Sequence, residues 1–166
     1  MHQFGQGIVR TPSDFGLRSE PPTHPELLDW LARRLVADGW STKKLQRLIL
    51  TSAAWKQSSG PAPATDPENR LLSRFPRRRL DFEAMRDALL ATSGKLDLST
   101  GGRSVNLATP PFSGRRTLYG FVDRLNLSSL YRAFDLTGAD AHIAQRFTTT
   151  TPQQALFLMN SPFLAE

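Results

Sequence analysis

Apolar residues recur at helical spacing in several stretches of this chain, and alternate in only one short one. In "PPTHPELLDWLARRLVADGW", residues 21–40, Leu27, Leu28, Leu31 and Leu35 form a stripe, with Arg33, Arg34 and Asp38 mostly off it. Thr23 is placed to cap this helix, Glu26 to complete a capping box, and Gly39 to end it. A second helix is expected from Ser41, with Leu45, Leu48, Ile49 and Ser52 on one face and Trp55 extending it. The short connection "ADGWS" predicts an antiparallel helix pair. A third helical segment opens at Asp66 with Pro67 in its first position, and Pro76 interrupts it. It resumes in "LDFEAMRDALLATSG", capped by Asp81 and stopped by Gly94, with Phe82, Met85 and Leu89 as its core stripe.

Beyond Gly94 the pattern thins. Residues 95–116 are rich in Gly, Ser and Pro and read as extended, "RTLYGFVDR" (116–124) reads as a short strand, and "LSSLYRAF" (127–134) as a short helix. The chain closes on "TTTTPQQALFLMNSPF", residues 148–163. Thr151 is its expected cap, Pro152 its first helical residue and Gln154 the partner that completes a capping box. Ala155 to Met159 are apolar on all sides, which predicts a helix buried between neighbours. Asn160 ends it and Pro162 blocks its return. The fold class is therefore mainly α: an irregular helical domain of about five helices with long loops and room for one short β element. One domain is expected over 1–166, with an irregular lead-in (1–22), a helical core (23–94), an irregular stretch with a short strand and helix (95–147) and the closing helix (148–166).

Composition narrows the function classes. With 166 residues, 39% hydrophobic and 22% charged, the chain is long enough and apolar enough for a core of its own. No run approaches the ~18 apolar residues of a membrane span, so no membrane insertion is expected. The first residues lack the basic start and apolar core of a signal peptide. The absence of cysteine excludes disulfides, a thiolate metal site, a cysteine nucleophile and covalent haem attachment. The net charge of +6 comes from 17 arginines and 4 lysines against 15 carboxylates. Arginine's planar fork suits carboxylate or phosphate, so the choice is between pairing within the fold and a phosphate-binding face.

Candidate chemistry is sparse. His2, His24 and His142 have no metal-site spacing, His24 falls where capping or packing is expected, and no metal site is supported. There is no nucleophile elbow, phosphate loop or dinucleotide fingerprint. The densest charge cluster, "NRLLSRFPRRRLD", holds Arg70, Arg74, Arg77, Arg78 and Arg79. Arg74, Arg77, Arg78 and Arg79 are its nucleic-acid candidates, but Asp81, Glu83 and Asp87 follow closely, and carboxylate pairing outweighs that reading. A second constellation places Arg124, Arg132 and Arg146 near Asp123, Asp135 and Asp140 in sequence terms. Its ligand-binding version is a polar pocket rimmed by Arg124, Asp135 and Arg146; its structural version is a salt-bridge network.

Taken in order, "FGQGIVRTPSDFG", "PTHPELLDWLA", "GWSTKKLQRLILTSAAWKQSS", "DPENRLLSRFPRRRLDFEAMRDALLATSGKLD" and "TTTTPQQALFLMNSPF" make a specific series. The chain resembles the domain of unknown function 1553, also called the planctomycete-specific domain, over nearly its whole length. The resemblance implies the C-terminal part of a large exported or cell-envelope protein that also carries a cytochrome c-like domain. Its implied partners are the other domains of that protein, and any haem would sit in such a neighbour. The family pattern continues upstream of "HQFG" to an Arg-x-Trp motif, so the chain is expected to be a fragment with apolar surface exposed. No catalytic residue is implied. The expected function is a non-catalytic structural or interaction module, with an enzyme or ligand-binding part acting on polysaccharide, or coupled to electron transfer, as the alternative.

Overall fold

The structure, a computed structural model, describes residues 1–138 and 142–165. It is mainly α, and it divides into two compact units, Met1–Arg78 and Arg79–Glu166.

In the first unit the lead-in has no helix before Pro25 but is tied down by Thr23, whose N–H donates to the Ile8 carbonyl at 2.9 Å. Helix α1 (Pro25–Ala37) packs on helix α2 (Thr42–Thr51). The cap of α1 is His24 and not Thr23, because Pro25 takes the first helical position and supplies a helical φ without needing a donor. No side-chain capping bond forms there; the Thr23 hydroxyl lies 2.9 Å from His24 Nδ1. Gly39 (φ +70°) ends α1 as expected, with the Trp40 N–H donating to the Leu35 carbonyl at 2.8 Å. Ser41 caps α2, accepting from the Lys44 N–H at 3.4 Å. Past α2, Trp55 meets Phe75 edge-on at 4.8 Å and Phe4 at 5.7 Å, the unit's aromatic centre.

The segment expected to begin a helix at Asp66 is a series of turns. The buried Asp66 carboxylate accepts the N–H groups of Arg70 (2.7 Å) and Leu71 (3.1 Å), as a cap would. Asn69 and Leu72, however, take left-handed conformations (φ +56° and +54°), and the Asn69 side chain satisfies both backbone groups of Arg74. Side chains thus supply the bonds a helix would have made.

The second unit holds every fully buried apolar residue among those described. Helix α3 (Phe82–Thr92) buries Phe82, Arg86 and Leu90 at i, i+4 and i+8, with Met85 and Leu89 at the edge of that face. Asp81 is its cap by position but makes no capping bond, and Gly94 (φ +73°) follows its end. Phe82 touches three rings: Phe134 at 4.9 Å, Tyr131 at 5.8 Å and Phe157 at 6.2 Å. These come from helix α4 (Ser129–Ala133), its C-cap and helix α5 (Pro152–Asn160), and Leu107 and Leu127 complete the cluster.

Residues 116–124 do not form the expected strand. Thr117–Tyr119 is a 3-10 turn, flanked by isolated parallel bridges Asp97–Arg115 and Val105–Gly120. A Cβ at Gly120 would lie 2.5 Å from Leu107 Cδ1 and 2.7 Å from the Tyr131 hydroxyl. The chain turns against the core where only glycine fits.

Helix α5 starts at Pro152 as expected, with Thr151 and Gln154 in the expected capping box, where the Thr151 N–H donates to Gln154 Oε1 at 3.3 Å. The helix is not buried on all sides. Gln154 is its buried residue and Phe157 is half-buried, while Leu156 and Met159 are 55% and 78% exposed. Pro162 opens a further turn, α6 (Pro162–Ala165), because proline suits a first helical position.

Candidate functional site

Polar side chains converge at two places in the second unit, the first on α3 and the second beside its start. At the first, Arg86 is 1% exposed, one turn from the buried Phe82 and one from the buried Leu90 on α3. Its Nη1 donates to the Arg115 carbonyl at 2.9 Å and to the Thr117 hydroxyl at 3.3 Å, and Nη2 to the Ser113 carbonyl. The Phe163 ring lies beneath it, 5.0 Å from Cζ, and Nε has no partner. Burial pushes the guanidinium pKa down, and the neighbouring Asp87 charge opposes that. Asp87 grips the same segment: its Oδ1 accepts the Thr117 N–H and hydroxyl, each at 2.7 Å, and its Oδ2 lies 3.2 Å from Arg116 Nε. Two consecutive residues of α3 thus hold residues 113–117, a stretch with little regular hydrogen bonding of its own.

The second place joins residues far apart in sequence. Arg79 donates to Asp135 Oδ2 at 2.9 Å, to the Thr149 carbonyl at 2.6 Å and to Gln154 Oε1. Asp135 also accepts from the Thr149 N–H at 2.9 Å and from its hydroxyl. Gln154 in turn donates to the Ala133 carbonyl at 2.8 Å. Beside this hub, Arg146 makes a two-pronged pair with Glu83 at 2.8 and 2.9 Å. Glu83 raises the Arg146 pKa, with smaller contributions from the Asp81 and Asp135 charges.

The expected rim of Arg124, Asp135 and Arg146 is therefore distributed. Asp135 is held by Arg79 and Arg146 by Glu83, while Arg124 is exposed on the loop before α4. Asp123 accepts from the Leu125 N–H at 2.9 Å, and Asp140 lies outside the described residues. The arginine run also spends its donors inside the chain. Arg74 reaches the Gly60 carbonyl at 3.4 Å, Arg77 the Ser59 hydroxyl at 3.2 Å, and Arg78 the His2 carbonyl at 2.9 Å. Pairing with carboxylates accounts for only part of this use. Arg74, Arg78, Arg79, Arg86 and Arg115 all donate to backbone carbonyls, Arg115 to those of Ser99, Gly101 and Arg103.

Sequence reasoning missed Arg86, and missed Gln154 beyond its capping role; both are buried, as is Thr117. Their signal was positional: Arg86 lies one turn after Phe82 and one before Leu90, and Gln154 one turn before Phe157.

A family model described as PSD1, a protein of unknown function (DUF1553), matches residues 1–166. The chain belongs to the DUF1553 family. No curated protein and no solved structure matches it.

In this DUF1553 chain the carboxylates at the two places are tied up. Arg146 holds Glu83 below the usual carboxylate range against the opposing effect of burial. Burial also opposes ionisation of Asp87 and Asp135, but bonds from Thr117 and Arg116, and from Thr149 and Arg79, outweigh it and lower both. Such groups are weak bases at neutral pH. Among the described residues no three His, Asp or Glu side chains are grouped to hold a metal, and no helix is long and apolar enough to cross a membrane.

The lowered carboxylates have a consequence for stability. Because their folded pKa values lie below the unfolded ones, their contribution is full at neutral pH and is lost as pH falls through the folded values. Urea midpoints should stay level from about pH 8 to 5 and drop below about pH 4. Asp135→Asn keeps the left-handed backbone (φ +61°) tolerable while removing the charge. Its deficit relative to the parent chain should shrink as pH falls; a deficit constant with pH would show that the Asp135 charge contributes nothing.

Proposed function

We propose that this chain is a non-catalytic interaction module that completes a larger exported protein. The carrying observation is in the first unit, where none of the apolar residues of Met1–Arg78 is fully buried. Helices α1 and α2 have strong apolar faces, yet neither contains a buried residue, and Leu27, Trp30, Val36 and Leu50 stay exposed. Helices of that kind draw their stability from packing on a partner, and clustered exposed apolar residues mark interaction surfaces. The saturated carboxylates favour this reading over an acid–base enzyme. The arginine heads already engaged within the chain favour it over a nucleic-acid face.

The partners we propose are neighbouring domains of the parent protein, a haem-bearing cytochrome c-like domain among them. This part rests on the ordered sequence motifs.

The test is association between this chain and the rest of its parent protein, purified separately. Binding in the micromolar range or tighter is expected, with little dependence on salt because the contact is apolar. Leu27→Ser with Trp30→Ser should weaken it about tenfold or more, while the thermal midpoint moves by only a few degrees, roughly. Absence of association at about 100 µM, or association indifferent to both substitutions, would overturn the proposal.

A further inference from the structure

The positive charge of the chain is unevenly placed. The first unit, Met1–Arg78, holds 12 of the 21 basic residues and 7 of the 15 acidic ones, so it carries +5 of the net +6. No acidic side chain occurs between Asp38 and Asp66, a stretch that contains Lys43, Lys44, Arg47 and Lys56. Three of these lie on α2, whose inner row, Leu45, Leu48 and Ile49, is half-buried. On its outer side Lys43, Arg47 and Leu50 recur at i, i+4 and i+7, all exposed, and Trp40, in the turn that leads into the helix, is 71% exposed. We propose that this outer face of α2, with Trp40, binds the surface of an anionic lipid bilayer.

Charge and apolarity together select that occupant. The arginines of the 74–79 run donate within the chain, but the side chains of Lys43, Lys44 and Arg47 make no hydrogen bond or ion pair among the described residues. Lys43 and Lys44 also stand in the first turn of α2, which has no acidic residue and where the helix dipole disfavours cations. The fold gains nothing from them there, and an anionic surface offsets the cost. Leu50 and Trp40 add what a purely anionic polymer does not use: apolar side chains for the boundary between headgroups and acyl chains. Basic side chains at the phosphates with Trp and Leu at that boundary are the combination of a helix lying on a membrane. The contact is peripheral, with the chain on the bilayer and not through it. This goes beyond the docking role of α1 and α2 and leaves Leu27 and Trp30 untouched, so either reading can fail alone.

Vesicles of roughly one-third phosphatidylglycerol in phosphatidylcholine should carry the intact chain into the pellet on centrifugation at low salt, and vesicles of phosphatidylcholine alone should not. Binding should weaken steeply as salt rises from about 50 to 500 mM. A basic residue near such a surface raises affinity about fivefold, so Lys43→Gln with Lys44→Gln should lower it roughly 25-fold, and Arg47→Gln added to them roughly 100-fold. All three positions are exposed, and far-ultraviolet circular dichroism checks that the helices persist. Trp40→Ser, which leaves the charge unchanged, should lower binding about threefold or more. Arg103→Gln with Arg132→Gln, exposed in the second unit, should leave binding within about twofold of the parent chain. Failure to bind anionic vesicles overturns the inference, as does a loss shared equally by the Arg103 and Arg132 variant. So does a Trp40→Ser chain that binds like the parent, or single-stranded RNA or polyglutamate that binds more tightly than vesicles and is lost with the same α2 substitutions, since the partner would then be a polyanion.

Discussion

Phe82→Ala should lower folding stability by about 3–5 kcal/mol, the range for removing a large aromatic side chain from a packed core. Phe82 is almost wholly buried and touches Tyr131, Phe134 and Phe157, so one truncation loosens α3 from α4 and α5 together. Edge-on and tilted ring contacts add about 0.5–1.5 kcal/mol per pair beyond area, and little else in the chain is fully buried to compensate. Domains of this size are stable by about 5–15 kcal/mol in all, so the variant should sit near its unfolding threshold. The measurement has a convenient division of probes. Both tyrosines, Tyr119 and Tyr131, lie in the second unit and all three tryptophans in the first. Near-ultraviolet signals from tyrosine should therefore melt at lower urea in the variant. A loss under about 1 kcal/mol would mean that the rings do not form the core described.

Arg86 carries the second large effect, through hydrogen bonding. Arg86→Met keeps much of the volume and the chain's apolar stem, but it removes the donors to two carbonyls and the Thr117 hydroxyl. Leaving buried acceptors unmatched costs about 1–3 kcal/mol each, so a total loss of about 3 kcal/mol or more is expected. Arg86→Ala should cost more, since a cavity is added. The opposing term is real: burying a guanidinium is itself costly, and replacing buried charge with apolar bulk sometimes stabilises a protein. Here the charge is shared among three acceptors and a ring, with Asp87 adjacent, which tips the balance toward retention. An Arg86→Met variant as stable as the parent would falsify that assignment.

The helices were legible because their signals are local. Gly39, Ser41, Gly94 and Pro152 mark boundaries within a residue or two of where the backbone turns, since caps and breakers act on their own neighbours. The turns at 66–75 were not legible: Asp66 and Pro67 do begin as a helix would, and only the left-handed Asn69 and Leu72 divert the chain. The expected burial of α5 failed for a related reason. Apolar composition all round does not say which side faces the core, and Gln154 takes the inner side because Arg79, Thr151 and Ala133 offer it partners. In the candidate site, Asp135 and Arg146 could be named but their partners could not. Arg79 is 56 residues from Asp135, and Glu83 is 63 from Arg146, separations that no periodicity reports.

The arginine forks that hold backbone carbonyls also bear on how such a chain changes over evolutionary time. A carboxylate partner ties two side chains together, so a change at one selects a compensating change at the other. A carbonyl partner has no side-chain identity. The non-glycine loop residues whose carbonyls Arg86 and Arg115 grip, Ser99, Arg103 and Ser113, are free to change, within limits set by backbone shape, while the gripping arginines stay fixed. Aligned DUF1553 sequences should then show unvarying arginines opposite drifting loop positions, with no correlated substitution between them. Contact inference from covariation would be blind to the bonds that hold the irregular half of this fold.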